Sequence, residues 1–409
     1  MQLAHSQPHL ISRNRDALDI ARTIAGDIAA HAGQTDASGE FPSASFALLR
    51  STGLMGLCVP VEYGGFGASF DTLHDVARTL GAACLSTAMV WAMHIQQVVV
   101  LADYGSPALR RAVLPEVAAG RMFIASVTTE RGKGGHIMTA QAPLIRDREH
   151  IVITRDAPVV TGGAQAEGFL ITMRASESAV PTDVCLVFAH HHQLSARTES
   201  GWSSLGMRGT QSVGMQLSGS VTEGQLLVPP GGFAQLAMSS LIPIGHLAWA
   251  SCWLGAAEGA YQSMLDIFAD PIARRGYDLH SEMLADRIAR VRLQIDTAGA
   301  FIRDVLREYN ELRATRALDD PAFGAPGFSI RVNEVKLLAS ELLFDAVDKL
   351  IQIGGLRYGY LRNDRNALER TFRDLRSAAL MYGNDRLLAA NGKLALVDRR
   401  AFQDGHARP

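Results

Sequence analysis

Apolar residues in the first hundred positions recur at steps of three and four. Ala17, Ile20, Ala21, Ile24 and Ile28 fall on one face at that step, which is the spacing of an amphipathic helix. A second helix ends at Gly53, and the chain then runs extended through Val59 and Pro60 into Glu62-Tyr63-Gly64-Gly65-Phe66-Gly67, a turn whose glycines permit positive φ. Positions 77–92 predict a long apolar helix. Positions 105–114 predict a capped one that opens on Ser106-Pro107. Beyond residue 120 the pattern changes. Ile151-Val152-Ile153-Thr154 and Val184-Cys185-Leu186-Val187-Phe188 are short apolar runs bounded by turn residues, and they read as strands of an inserted β-domain. Helical spacing then returns. Positions 242–268 are apolar on most sides, as in a helix buried within a bundle, and 282–307 carry Leu284, Ile288, Val291 and Ile295 on one stripe. Further helices are predicted over 328–350 and 367–396, with a loop at Pro321, Gly324, Pro326 and Gly327 between two of them.

Composition narrows the class without naming a chemistry. At 409 residues and 47% hydrophobic, the chain buries a large core and divides into two or three domains. A formal net charge of −2 supplies no global basic field, so neither nucleic acid nor an anionic membrane is an expected partner. Cys58, Cys84, Cys185 and Cys252 are scattered, without disulfide or zinc spacing. His190-His191-His192 reads as a solvated turn, and no metal site is expected. Residues 1–18 lack the apolar stretch of a signal peptide, and no run reaches about 18 uninterrupted apolar residues. The expectation is a soluble, cytoplasmic protein.

Three glycine-rich punctuation points carry the candidate chemistry. They are Thr128-Thr129-Glu130-Arg131-Gly132-Lys133-Gly134-Gly135, Val159-Val160-Thr161-Gly162-Gly163 and Leu205-Gly206-Met207-Arg208-Gly209-Thr210. A pyrophosphate needs backbone N–H groups with no side chain in the way, and an isoalloxazine needs a flat apolar slot with polar groups at its edge. Gly132, Gly134 and Gly135 offer the first, and Thr128, Thr129 and Thr161 the second.

The helix, β-domain, helix order with these three loops resembles the acyl-CoA dehydrogenase family of flavoproteins. The resemblance implies an α+β, mostly α fold: an N-terminal helical domain at 14–120, a central β-barrel domain at 121–232 and a C-terminal four-helix bundle at 233–401. It implies FAD as cofactor. Thr129-Glu130 matches the family's first flavin loop and Val159-Val160-Thr161 its second, with Arg131 in place of a proline and Gly135 in place of a serine. Gln352-Ile353-Gly354-Gly355 resembles the turn that reaches the FAD pyrophosphate from a neighbouring subunit, in a homotetramer or homodimer. Arg274 and Arg275 stand near the family's pyrophosphate arginine. Arg373-Asp374 matches the step that opens the family's last helices, and the region of His94 borders the family's acyl pocket.

One expected group is missing. The family removes an α-proton from an acyl thioester with a glutamate that follows a tyrosine, and here Met381-Tyr382 is followed by Gly383. An alternative family position on the first long bundle helix falls at Gly245. A positioned base contributes about 10²–10⁴-fold. The backbone N–H of Gly383 remains available to polarise a thioester carbonyl. Asp385, His246 and Glu258 are the candidates for a displaced base. The leading expectation is an FAD-dependent oxidoreductase that desaturates an acyl thioester on CoA or a carrier protein, its electron acceptor unspecified, and Thr129-Glu130 tilts the reading that way. The alternatives are a flavin monooxygenase of the same fold, which needs no such base, and an inactive flavin-binding paralogue.

Overall fold

The computed structural model describes residues 7–132, 136–227, 231–363 and 366–398. The first third is helical: α1 (Gln7–Ser38), α2 (Ser43–Ser51), α3 (Phe70–Ala83), α4 (Leu85–Tyr104) and α5 (Pro107–Ala118). Ser69 and Ser106 cap α3 and α5 by accepting from Thr72 N and Leu109 N, which satisfies helix-end donors that otherwise have no partner. The stripe anticipated from Ala17 to Ile28 is the buried face of α1.

Eight strands follow: β1 (Ile124–Val127), β2 (Ile145–Asp147), β3 (His150–Val160), β4 (Gly168–Arg174), β5 (Val184–His190), β6 (Leu194–Ser200), β7 (Val213–Thr222) and β8 (Leu226–Leu227). They do not close into the expected barrel. They form two four-stranded sheets, in the orders β1-β4-β5-β8 and β2-β3-β7-β6, with β1 and β4 parallel and the other pairs antiparallel. Burial explains the division. Strand β3 alternates between buried and accessible positions, while β4 and β5 are buried on both faces. On one face Phe169, Ile171 and Met173 share a core with Ile151 and Ile153 of the other sheet. On the other face Leu170, Leu186 and Phe188 pack with Val98, Leu101, Leu109 and Val113 of α4 and α5. A sheet covered by helices on its second face has no need to curl back on the first.

The last third is helical: α6 (Gly232–Leu236), α7 (Ile242–Ala269), α8 (Glu282–Thr315), α9 (Pro326–Gly355), α10 (Leu368–Arg376) and α11 (Asn384–Ala395). A π-helical stretch, Ala237–Leu241, joins α6 to α7. Helix α7 runs through the centre of the molecule. It meets α3 at close range because any Cβ on Gly81 or Gly255 would collide with the facing backbone of Cys252 or Arg78. The single closing helix expected over 367–396 is broken. Ser377 to Gly383 form a turn in which Tyr382 and Gly383 both have positive φ, +51° and +22°. The break aims Tyr382 and Gly383 back at the junction of bundle and sheets.

Candidate functional site

At that junction lies a cavity of about 570 Å³, within the range of small-molecule and cofactor sites. The loop after β1 supplies Thr128 and Thr129, the end of β3 supplies Val159 and Thr161, and the segment 202–212 supplies Trp202, Met207 and Ser212. Helices α4 and α7 contribute Met89, Met93, Gln96 and Trp249, and the turn after α10 contributes Met381, Tyr382 and Gly383.

The two first loops are fastened to each other. Thr129 Oγ1 donates to Val159 O at 2.7 Å and accepts from Val159 N at 3.3 Å. Behind them Arg155, fully buried, donates from Nη2 to Thr129 O at 3.0 Å and pairs through Nη1 with Glu130 at 2.8 Å. The Glu130 carboxylate also accepts from the backbone N–H groups of Gln141 (2.8 Å) and Ala142 (2.6 Å). Glu130 is therefore a structural counter-ion and does not line the cavity. Val160 does not line it either. It is fully buried, whereas Val159 and Thr161 face the cavity, as the two-residue period of a strand requires.

Segment 202–212 is held in a strained course, with Met207 at φ +55° and Gln211 at φ +43°. Asp374 Oδ1 accepts from Met207 N at 2.5 Å, and Met207 O accepts from Trp202 Nε1 (2.9 Å) and Thr210 Oγ1 (2.8 Å). Burial pushes the Asp374 carboxyl up to about 7. Arg373 grips Asp36 at the end of α1 with two bonds of 2.8 and 2.6 Å, so the Arg-Asp step is an intrachain tie between α1, this segment and α10. Thr161 Oγ1 meets Ser212 Oγ at 2.9 Å, which closes the row of hydroxyls along one edge.

The remaining sequence candidates lie elsewhere. Gly132 has φ +86° but lies outside the cavity, and Gly134 and Gly135 lie outside the described residues. Arg274 and Arg275 are exposed on the turn after α7. Tyr277 next to that turn donates to Gly354 O at 3.2 Å, so the two stretches expected near a pyrophosphate sit together, outside the cavity. Gln352 bonds Asp348 on the surface of α9, and Gly355 is exposed beside it.

None of the three candidate bases lines the cavity. Asp385 is exposed in the first turn of α11, because Asn384 before it turns inward to Lys336 Nζ (2.5 Å) and Ser340. His246 is buried on α7, and its Nδ1–H donates to Val332 O at 3.1 Å. Burial pushes its imidazole down to about 4, so it is neutral. Glu258 is bound to Arg78 at 2.5 Å. The N–H of Gly383 donates to Leu380 O at 3.2 Å and is engaged within the turn. His94 is also structural: its Nε2–H donates to Met55 O (3.1 Å) and its Nδ1 accepts from Ile124 N (3.0 Å). The space beside Gly245 is filled by the Gln96 side chain, whose Nε2 donates to Leu241 O at 2.6 Å in the π-helical stretch. Among the described lining residues there is no carboxylate, imidazole, thiol or amine; the titratable groups are Tyr382 and the guanidinium groups of Arg373, Arg376 and Arg386.

Gln96, Trp249 and Tyr382 are the site residues that sequence reasoning did not single out. Apolar helices hide Gln96 and Trp249, since a glutamine or tryptophan inside such a run looks like any core position, whereas Tyr382 stands out in the sequence only as the neighbour of Gly383. The vacancy at Gly245 was the available signal, because a glycine in a buried helix needs something to fill its place.

A cavity with hydroxyl groups along it (Thr128, Thr161, Ser212) and apolar walls (Trp202, Met207, Trp249) fits a flavin ring by the chemistry of its donors. The fold and this site define a flavin-dependent oxidoreductase. The model described as "Acyl-CoA dehydrogenase, N-terminal domain" matches residues 15–121, and that described as "Acyl-CoA dehydrogenase, C-terminal domain" matches residues 247–385. The chain belongs to the acyl-CoA dehydrogenase family, and a flavin is its cofactor. Cyclohexane-1-carbonyl-CoA dehydrogenase of Geobacter metallireducens is 25% identical over 88% of this chain and 90% of its own length. Dibenzothiophene monooxygenase of Rhodococcus qingshengii is 24% identical over 64% of each chain. The FMN-bound structure of TdsC from Paenibacillus sp. A11-2 superimposes with a TM-score of 0.82 at 21% identity, covering 94% of this chain and 98% of that one.

Proposed function

We propose that this chain is a flavin-dependent monooxygenase. One observation carries the reading: among the described residues, the cavity holds no side chain able to take an α-proton, and the second family position for such a base is closed by Gln96. α,β-Desaturation of a thioester requires that base and a donor for the enolate oxygen, and the Gly383 N–H already donates within its own turn. Oxygenation requires neither. Glu130, which as a sequence match favours the dehydrogenase, is a partner of Arg155 and does not weigh between the two reactions.

When bound, a reduced flavin supplies the electrons that activate dioxygen. The chain's own groups bind and shield. Thr128, Thr129, Val159 and Thr161 would hold the flavin together with Trp202 and Met207, and Gln96 and Trp249 would exclude water from the inner end. We assign FAD as the flavin, with its pyrophosphate met by the Gly132 loop and by Arg274, Arg275, Gln352, Gly354 and Gly355 of a second copy in a homodimer or homotetramer. The position of those residues outside the cavity of their own chain supports this arrangement.

The test supplies the flavin-loaded protein with reduced flavin, ¹⁸O₂ and a panel of bicyclic aromatic compounds, and reads label in the product by mass spectrometry. Incorporation of one labelled oxygen is the expected result. Anaerobic bleaching of the bound flavin by short or medium acyl thioesters, on CoA or carrier protein, overturns the proposal in favour of the dehydrogenase.

A further inference from the structure

The inner half of the cavity has an unusual wall. Trp249 and Tyr382 stack with ring centroids 5.4 Å apart and planes 25° from parallel. Tyr382 holds this place at φ +51°, a conformation that bulky residues rarely adopt. The turn is fixed on its far side by Asn384, which Lys336 and Ser340 bind in the core. Backbone strain maintained by a buried anchor is characteristic of a ligand contact. The Tyr382 hydroxyl ends 3.4 Å from Thr128 Oγ1, at the edge of the first flavin loop.

The surroundings limit what can lie against that wall. Gln96, tied to Leu241 O and supported by Gln97, fills the space beside Gly245 between α4 and α7, so this part of the lining is fixed. Met89, Met93 and Met381 supply polarisable thioethers, which pack well on aromatic faces. Burial pushes the Tyr382 phenol above its usual range, so it is a neutral hydroxyl that donates or accepts.

We infer that the substrate is a compact, planar aromatic molecule, stacked on the Trp249–Tyr382 wall, with a polar ring atom or substituent hydrogen-bonded to the Tyr382 hydroxyl. This names a substrate class for the oxygenation proposed above and rests on that reading. Stacked aromatic contacts add to burial, and the single hydroxyl would set the ring's orientation within the cavity.

Quinoline and naphthalene test the inference, because they share a shape and differ by one hydrogen-bond acceptor. Their affinities for the flavin-loaded protein are read from changes in flavin absorbance and by equilibrium dialysis. The wild type binds both. Tyr382→Phe lowers the affinity for quinoline about fivefold and leaves naphthalene unchanged. Trp249→Leu weakens both by about tenfold. Failure of the wild type to bind either, or equal shifts of both in Tyr382→Phe, overturns the inference. The two proposals fail separately. Bicyclic binding without ¹⁸O incorporation removes the oxygenase and leaves the aromatic site, whereas ¹⁸O incorporation into non-aromatic compounds without bicyclic binding does the reverse.

Discussion

The amide of Gln96 occupies the space that a side chain on Gly245 would need. One residue on α4 thus fills the space beside a glycine on α7, and the two positions are coupled by contact.

Gly245→Glu is accordingly expected to destabilise the fold instead of installing a base. Overpacking costs about 1–3 kcal/mol, and an unpaired buried carboxylate adds to that. Gln96→Ala in the same chain relieves part of the loss. A double-mutant cycle of thermal or denaturant melts should give a coupling of about 1 kcal/mol or more; strict additivity would show that the two side chains do not compete.

Glu130 and Arg155 form a buried pair behind the first flavin loop. Glu130→Gln leaves the guanidinium without its counter-charge and should cost about 3–5 kcal/mol, with flavin lost in parallel because Thr129 is released from Arg155. Urea denaturation and the flavin-to-protein absorbance ratio measure the two effects. Retained flavin at unchanged stability would mean that the loop holds its shape without the pair.

His74, His94 and His246 are buried neutral, pushed by burial down to about 4, 3 and 4. In each case the unfolded chain binds the proton more readily than the folded one. Stability is therefore intact above the usual histidine range near pH 6.5 and falls as pH drops through it toward 4. For His94 the geometry is unforgiving, since a proton on Nδ1 would face the Ile124 N–H it now accepts from. His94→Gln should flatten the stability–pH slope between pH 6 and 4 by about 1.4 kcal/mol per pH unit. An unchanged slope in chemical denaturation across that window would contradict the assignment.

Asp374 works in the opposite direction. Desolvation raises its carboxyl from the usual carboxylate range to about 7, so the folded state holds the proton more tightly. Its contribution is present at low pH and is lost as pH rises from about 4 through 7. Asp374→Asn keeps an acceptor for Met207 N and removes the charge. The variant should gain on the order of 1–3 kcal/mol relative to wild type at pH 8 and nothing at pH 4. A loss of stability at pH 8 would show that the ionised carboxylate is the form the fold needs.

Purified protein should be yellow and elute as a homodimer or homotetramer. Arg274→Ala with Arg275→Ala should release flavin without changing the cavity, since both residues are exposed and distant from it within one chain. Flavin content after gel filtration decides this. A fully loaded double variant would remove these arginines from the cofactor's environment.

The helices were legible because their apolar stripes repeat, and the glycines at 383 and 245 are read directly from the sequence. The arrangement of the strands was not. Strands β4 and β5 are apolar over most of their length, with only Thr172, Arg174 and His190 polar, and so apolar a strand does not say whether a helix or another sheet covers its second face. Val160 had a local signal, the two-residue alternation that turns it away from Val159 and Thr161. The break of the last helix depends on Lys336 drawing Asn384 inward across 48 residues of sequence, and no local pattern encodes that. The same turn engages the Gly383 N–H, which is why a donor inferred from a position alone is bound to Leu380 O.

Arg373 binds Asp36 across a sequence separation of 337 residues, and Asp374 beside it fixes the course of Met207. Residues far apart along the chain thus fasten one wall of the cavity, so segment 202–212 depends for its course on a contact that forms only once α10 has docked. A chain cut before residue 373 is accordingly expected to lose flavin, which the flavin-to-protein absorbance ratio measures.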